Sequence, residues 1–312
     1  MEILQSDPSQ GASCGYIIDS PMIEVDFTKM NGAGNDFVVI DDFDGALKVD
    51  LPFLARTLCS RGFGIGADGL LVLRKHPGYD FEMIYLNSDG SEGGMCGNGG
   101  RCIARYAVLK DICRSPMKFT AHGGEYSAEV VDDRKVRLHL PDPDRVVPSV
   151  DVPIGTRHFE ATYVHPNTDH AVLLGGTAFD RVDSADLVAI ARKIRYNFEV
   201  FPRGTNVNLI EQDGDNTIRM RTYERGVENE TLACGTGAVA CAITASIRYG
   251  MTSPVEIRTT GGELLKVYFE KNGDHFAKLV LEGSATVVFK GKVLYNELSH
   301  TISDLEHGQG KI

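Results

Sequence analysis

The chain has 312 residues, 42% of them hydrophobic and 24% charged, enough for one large core or two ordinary ones with a polar cover. A net charge of −11 repels phosphates, which excludes a nucleic-acid or anionic-membrane partner. No apolar run approaches the roughly 20 residues of a membrane helix.

Residues 1–21 carry Glu2, Asp7 and Asp19 and lack both a basic start and a continuous apolar core. They read as a loose tail rather than a secretory signal, with Met22 as the functional start. Strand patterning, β-branched and aromatic residues bounded by Gly, Asp or Asn, then recurs at 36–40, 70–73, 81–86, 117–120, 135–140 and 159–164. It continues at 171–174, 206–210, 218–223, 264–269, 276–281 and 286–289. Helical patterning is confined to 51–60, 100–110, 183–196 (opened by the Asp183-Ser184 cap signal) and 237–249. The predicted class is α+β. The Pro141-Asp142-Pro143-Asp144 cluster withdraws strand donors and fixes an extended hinge, so a domain boundary is placed there. The expected organisation is a tail over 1–21, an N-terminal lobe over 22–141, a C-terminal lobe over 142–282, a strand over 283–294 and a tail over 295–312.

Seven cysteines, scattered and without a C-x-x-C pair, do not form a disulfide framework or a zinc motif, and a reducing cytoplasm is expected. Two of them share a setting. Met95-Cys96-Gly97-Asn98-Gly99 leads into the alanine-containing helix 100–110, and Ala233-Cys234-Gly235-Thr236-Gly237 leads into 237–249. The repeated plan of strand, small-residue cysteine turn and helix predicts two similar lobes facing each other. At a helix start the first N–H groups lack partners and the dipole is positive, which favours a thiolate and lowers a thiol pKa. The glycines let a substrate carboxylate approach the same N–H groups. Inversion at a chiral carbon through a carbanion needs a base on one face and an acid on the other, and one thiolate with one thiol meet that need without a cofactor. Cys102 and Cys241, inside the helices, read as buried packing residues.

Five stretches in order resemble the diaminopimelate epimerases: Lys29-Met30-Asn31-Gly32-Ala33-Gly34-Asn35-Asp36-Phe37, Arg61-Gly62-Phe63-Gly64-Ile65-Gly66-Ala67-Asp68-Gly69, Asn87-Ser88-Asp89-Gly90-Ser91-Glu92, the turn from Met95 to Cys102, and Thr222-Tyr223-Glu224-Arg225-Gly226 leading to Glu230 through Gly237. The resemblance implies two pseudo-symmetric α/β lobes with the active site in the cleft, a last strand around 285–289 returning to the first lobe, and a homodimer. It implies a cofactor-independent epimerase interconverting LL- and meso-2,6-diaminopimelate in lysine and cell-wall precursor biosynthesis, with a small-molecule amino acid as ligand. By position it assigns Cys96 and Cys234 as catalytic. Asn35, Asn87 and Asn206 take the places of substrate-binding asparagines, Gly97, Asn98, Gly235 and Thr236 those of the carboxylate-binding turns, and Glu224 and Arg225 those of a Glu-Arg pair. His170 matches a histidine neighbouring a catalytic cysteine, where it would tune thiol ionisation.

Three positions depart from the family's commoner form: Thr168 stands where a substrate-binding asparagine is frequent, Gly69 where some members have glutamine, and the 226–230 loop is one residue longer. These bear on substrate choice. The alternatives are a related racemase of another amino acid and a non-catalytic dithiol redox or binding protein; Asn98 and the Glu224-Arg225-Gly226 approach argue against the proline branch.

Overall fold

The computed structural model describes residues 22–176 and 179–303. The expected N-terminal tail and the end of the expected C-terminal one lie outside the described residues. The first half of the chain runs β1 (Met22–Gly32), β2 (Asn35–Asp41), α1 (Leu51–Cys59), β3 (Gly69–His76), β4 (Tyr79–Asn87), α2 (Gly97–Leu109), β5 (Met117–Ala121), β6 (Gly124–Val130) and β7 (Lys135–His139). The second runs β8 (Arg145–Ile154), β9 (Arg157–His165), β10 (His170–Leu174), α3 (Ser184–Arg195), β11 (Asn206–Gln212), β12 (Thr217–Glu224), β13 (Asn229–Thr231), α4 (Gly235–Arg248), β14 (Val255–Arg258), β15 (Leu264–Asn272) and β16 (His275–Ser284). β17 (Thr286–Asn296) and β18 (Thr301–Ser303) follow.

Pairing shows the internal repeat. β1 is antiparallel to β2, β2 parallel to β3, β3 antiparallel to β4, β4 parallel to β5, and β5, β6 and β7 are antiparallel neighbours. The same sequence of pairings joins β9, β10, β11, β12, β14, β15 and β16. A parallel pair needs a crossover, and each of the four is made by one helix: α1 and α2 in the first half, α3 and α4 in the second. The halves join where β7 runs antiparallel to β16, with Leu138 opposite Leu281. β17 returns to pair with β1, opposite Met22 through Asn31.

Each half has two apolar layers. Cys102, Ile103, Ala104 and Ala107 of α2 pack into one cluster with β2 to β7, and Ala238 to Ile243 of α4 into another with β10 to β16. α1 and α3 cover the outer faces with Leu54 and Leu58, and with Ala191 and Ile194. The inner helices are buried almost all round, which their alanines and glycines permit, whereas α1 and α3 are amphipathic.

The four predicted helices all form. α2 and α4 begin at Gly97 and Gly235, two to three residues before the patterned segments, because the cysteines themselves serve as caps. β1, β6, β8, β13, β14 and β18 were not among the predicted strands. In β1, acidic Glu24 and Asp26 interrupt the apolar signal but lie on the exposed face. β8 holds Pro148 and Pro153 and pairs only with β9, the edge position at which proline is tolerated. β17 extends to Asn296, and β18 pairs with it, so part of the stretch expected as tail is strand.

Leu281 is fully buried at the junction, and its Cδ2 stands where β-carbons on Gly97 and Gly235 would come within 3.2 and 3.0 Å. Leu281→Ala is expected to lower unfolding stability by about 2–5 kcal/mol, measured by urea denaturation, because the strand pair cannot collapse into the space.

Candidate active site

The sequence reason for a cysteine turn is visible in the backbone. Cys96, at φ −102° and ψ 116°, is the N-cap of α2, and its Sγ accepts from the Gly99 N–H at 3.5 Å. Cys234, at φ −136° and ψ 118°, caps α4, and its Sγ accepts from the Gly237 N–H at 3.4 Å. Each thiol therefore takes the cap role usual for serine or aspartate. The two helix starts meet head to head: a β-carbon on Gly97 would lie 3.7 Å from Gly235 Cα, and one on Gly235 would lie 3.5 Å from Gly97 Cα.

A cavity of about 360 Å³ opens at this meeting point. It is lined by both cysteines and by Asn35, Asn87, Gly97, Asn98, Asn206, Glu224, Arg225, Gly235 and Thr236. Of the residues singled out from the sequence only His170 is absent from the lining; it is fully buried behind Thr236. Thr168 does line the cavity, as do Tyr85, Glu92 and Asn167, which sequence reasoning did not select.

On the first-turn side the polar groups form a chain. Arg101, fully buried, donates through Nη2 to Asn98 Oδ1 at 2.8 Å and through Nη1 to the Gly97 carbonyl. Asn98 Nδ2 donates to Asn35 Oδ1 at 2.6 Å, and Asn35 Nδ2 to Asp68 Oδ2 at 2.8 Å. Asp68 is held by Arg61 at 2.8 Å. Nothing about Arg101 marks it in the sequence, since it lies among apolar positions of an inner helix.

On the second-turn side His170 bridges Asn208 Oδ1 at 3.1 Å and Thr236 Oγ1 at 3.0 Å, and Thr236 Oγ1 lies 3.6 Å from Cys234 Sγ. With Asn208 Oδ1 as acceptor, Nδ1 carries the ring proton and Nε2 accepts from the threonine. His170 thus reaches the cysteine through Thr236 rather than directly. Burial pushes its pKa down to about 4, so the ring is neutral near pH 7. Asn208 had a signal: it sits two residues after Asn206 on β11, hence on the same face.

At the far end Asn206 Nδ2 donates to Thr168 Oγ1 at 3.1 Å and to the Asp169 carbonyl, and its Oδ1 accepts from the Arg225 N–H at 2.8 Å. Arg225 Nη1 pairs with Asp169 at 3.1 Å and reaches the Arg203 carbonyl, while Nη2 is 3.4 Å from Thr168 Oγ1. Asp169 is also bonded by Tyr163 and Arg203, and Arg203 and Arg225 hold its carboxyl below the usual range. The arginine fork is anchored on one side, which fixes the direction of the other.

The ionisation of the cysteines departs from the sequence expectation. Burial pushes both thiols up from 9.0, and Glu224 nearby adds to the rise. The Gly99 and Gly237 N–H groups oppose it and are outweighed. A helix start lowers a thiol pKa where solvent reaches the sulfur freely; here desolvation of the anion is the larger effect. Glu224 is itself pushed up by burial.

The fold is one that the chain shares with solved structures. A hydroxyproline epimerase from Agrobacterium vitis superposes with a TM-score of 0.63 over 93% of this chain and 96% of its own at 16% identity. A phenazine biosynthesis protein of the PhzF family from Bacillus anthracis does so at 0.63, 88% and 100%, with 13% identity. The diaminopimelate epimerase family model matches residues 27–146 and 176–288. The diaminopimelate epimerase of Archaeoglobus fulgidus is 40% identical over 293 residues, covering 90% of this chain and all of its own. That of Chlorobaculum tepidum is 40% identical over 268 residues, covering 85% and 99%. The chain belongs to the diaminopimelate epimerase family and is an isomerase.

Two outcomes follow from the ionisation pattern. Because alkylation needs the thiolate, iodoacetamide should react slowly with Cys96 and Cys234 in the ligand-free protein at pH 7, with rates still climbing above pH 9; peptide mapping that found a plateau below pH 8 would contradict the burial effect. His170 has a folded pKa below its unfolded value of 6.5, so the unfolded state binds more protons between them. Its contribution is therefore present above pH 6.5 and lost as pH falls toward 4, by roughly 3 kcal/mol. Urea titrations should show that acid-induced loss reduced in His170→Gln.

Proposed function

We propose that this chain interconverts LL- and meso-2,6-diaminopimelate by a two-base reaction between Cys96 and Cys234, without pyridoxal phosphate or metal, in the biosynthesis of lysine and cell-wall precursors. The observation that carries the reading is the meeting of two cysteine-capped helix starts, one from each half, at one cavity. The substrate carboxylate of the reacting centre lies between the N–H groups of Gly97 and Asn98 and those of Gly235 and Thr236, which lack intrahelical acceptors. One cysteine, as thiolate, takes the α-proton; its S–H bond forms as the C–H bond breaks, and the electron pair spreads toward the carboxylate. The N–H groups from both helices stabilise that charge. The other thiol gives its proton to the opposite face and is left as thiolate, so each turnover exchanges the two sulfurs' states.

Burial disfavours the thiolate, and the ammonium of the bound amino acid supplies the compensating positive charge. Asn35, Asn87, Asn206 and Arg225, with Thr168, read the remote amino and carboxylate groups; Glu224 stands beside both thiols and modulates their ionisation, while His170 orients Thr236 and through it Cys234. The lobes are taken as 22–141 and 142–282, divided at the strand-free segment 141–144, with 283–294 returning to the first. A homodimer in the cytoplasm is proposed with this reading, its support being the family and the scattered reduced cysteines.

Cys96→Ser and Cys234→Ser should each lower kcat at least about a thousandfold with unchanged circular dichroism, because a hydroxyl supplies no anion at neutral pH. Cys102→Ser and Cys241→Ser should keep most activity. In deuterated water, meso product should carry deuterium at the inverted carbon from the first turnover while unreacted LL substrate carries little. Inverted product that retained substrate hydrogen would rule out two bases, and near-normal turnover by either of the first two variants would reject the cysteine assignment.

A further inference from the structure

Tyr85 is a cavity residue with an unusual seat. It lies on β4 two residues before Asn87, so the two side chains share a face of the strand, and both line the cavity. Its ring is confined by two glycines. A β-carbon on Gly69, in the neighbouring strand β3, would stand 2.5 Å from Tyr85 Cε2 and 2.5 Å from the Leu86 carbonyl oxygen. One on Gly93 would stand 2.3 Å from Tyr85 Cδ1. Gly93 is brought there by the 88–93 turn, in which the Asn87 N–H bonds the Ser91 carbonyl and the Gly93 N–H bonds the Tyr85 carbonyl, both at 2.9 Å. Phe37 meets the ring edge-on, 6.0 Å between centroids. Gly69 and Gly93 thus exist as the two sides of a slot that holds one aromatic ring in one orientation.

Packing alone does not call for the hydroxyl. Among the described residues the Tyr85 hydroxyl has no protein hydrogen-bond partner. Burial, with Cys96, Asp68 and Glu224 around it, pushes the phenol pKa up, so the group stays a neutral donor and acceptor throughout the working pH range. Tyr85 and Cys96 line the same cavity and pack against the same apolar cluster of the first half. Tyr85 is partly buried, and it lines the cavity where a ligand would sit.

The geometry points to Tyr85 as a further substrate-contacting residue: its hydroxyl, fixed by the Gly69–Gly93 slot, makes a direct hydrogen bond to a polar group of the bound amino acid beside Cys96. The slot supplies precision without side-chain entropy loss on binding, since the ring has no alternative rotamer to give up. It also accounts for glycine at position 69, where a longer side chain and Tyr85 cannot coexist.

The inference rests on the epimerase reading above, and turnover by the native chain separates the two. The full-length protein and Tyr85→Phe, which keeps the ring in its slot, are compared on LL-2,6-diaminopimelate by chiral chromatography, with thermal denaturation and iodoacetamide mapping of Cys96 alongside. The expected result is a KM raised about tenfold with kcat changed less than about threefold, for loss of one hydrogen bond, and with the melting temperature and the pH profile of Cys96 alkylation unmoved. A KM within twofold of native in an active pair overturns the contact. A loss of kcat with unchanged KM and a shifted Cys96 alkylation profile also overturns it, because the hydroxyl then serves the thiol rather than the ligand. Inactivity of the native protein on diaminopimelate overturns the epimerase reading itself.

Discussion

The contact on which the molecule depends is the approach of two glycines, Gly97 and Gly235, above the Leu138–Leu281 pair of the β7–β16 seam. Only hydrogen atoms in place of side chains let the starts of α2 and α4 come this close. The approach gives both cysteines one shared cavity and both sets of free N–H groups one shared direction. The antiparallel β7–β16 pairing holds the halves in register beneath it, and β17 on β1 carries the chain back across to the first half. The small-residue composition of both inner helices belongs to the same constraint, since it lets each lie within its lobe with almost no exposed face.

Pseudo-symmetry ends at the electrostatics. The residue five positions after Cys96 is the buried Arg101, whereas the one five positions after Cys234 is the buried Val239. Arg101 lowers the Cys96 pKa by its charge, against the larger effect of burial. The second turn has instead the neutral His170 acting through Thr236. The scaffold therefore presents two similar sulfurs in unlike surroundings, which suits a substrate whose two faces are related by inversion but whose remote groups lie on one side only. A buried guanidinium is retained here because its three donor groups reach the Gly97 and Ser284 carbonyls and Asn98 Oδ1. Leaving any of them without a partner would be destabilising.

The walls of the cavity are fixed by carboxylates that do not line it. Asp68 anchors Asn35 at one end and Asp169 anchors Arg225 at the other. Each is also paired with an exposed arginine, Arg61 or Arg203, so each carries its partner's orientation without drifting toward the ligand. Such supporting groups hold the contacting side chains to one geometry.

The sequence by itself determined the α+β class, the four helices, the repeat of strand, cysteine turn and helix, and the residues around Cys96 and Cys234, because periodicity, cap residues and glycine spacing are local properties that tertiary context did not override. The family resemblance also marked Asn35, Asn87, Asn206, Glu224 and Arg225, and all five reach the cavity. Only the tertiary structure decided that both thiol pKa values are pushed up, since desolvation is set by what packs around a sulfur from distant segments. It alone placed His170 behind Thr236 rather than against Cys234, and it alone brought Arg101, Asp68, Asp169 and Tyr85 into the account. The edge strand β8, with its two prolines, was illegible for the same reason: whether a proline breaks a strand depends on which side of it another strand lies, and that is a fact of the folded sheet.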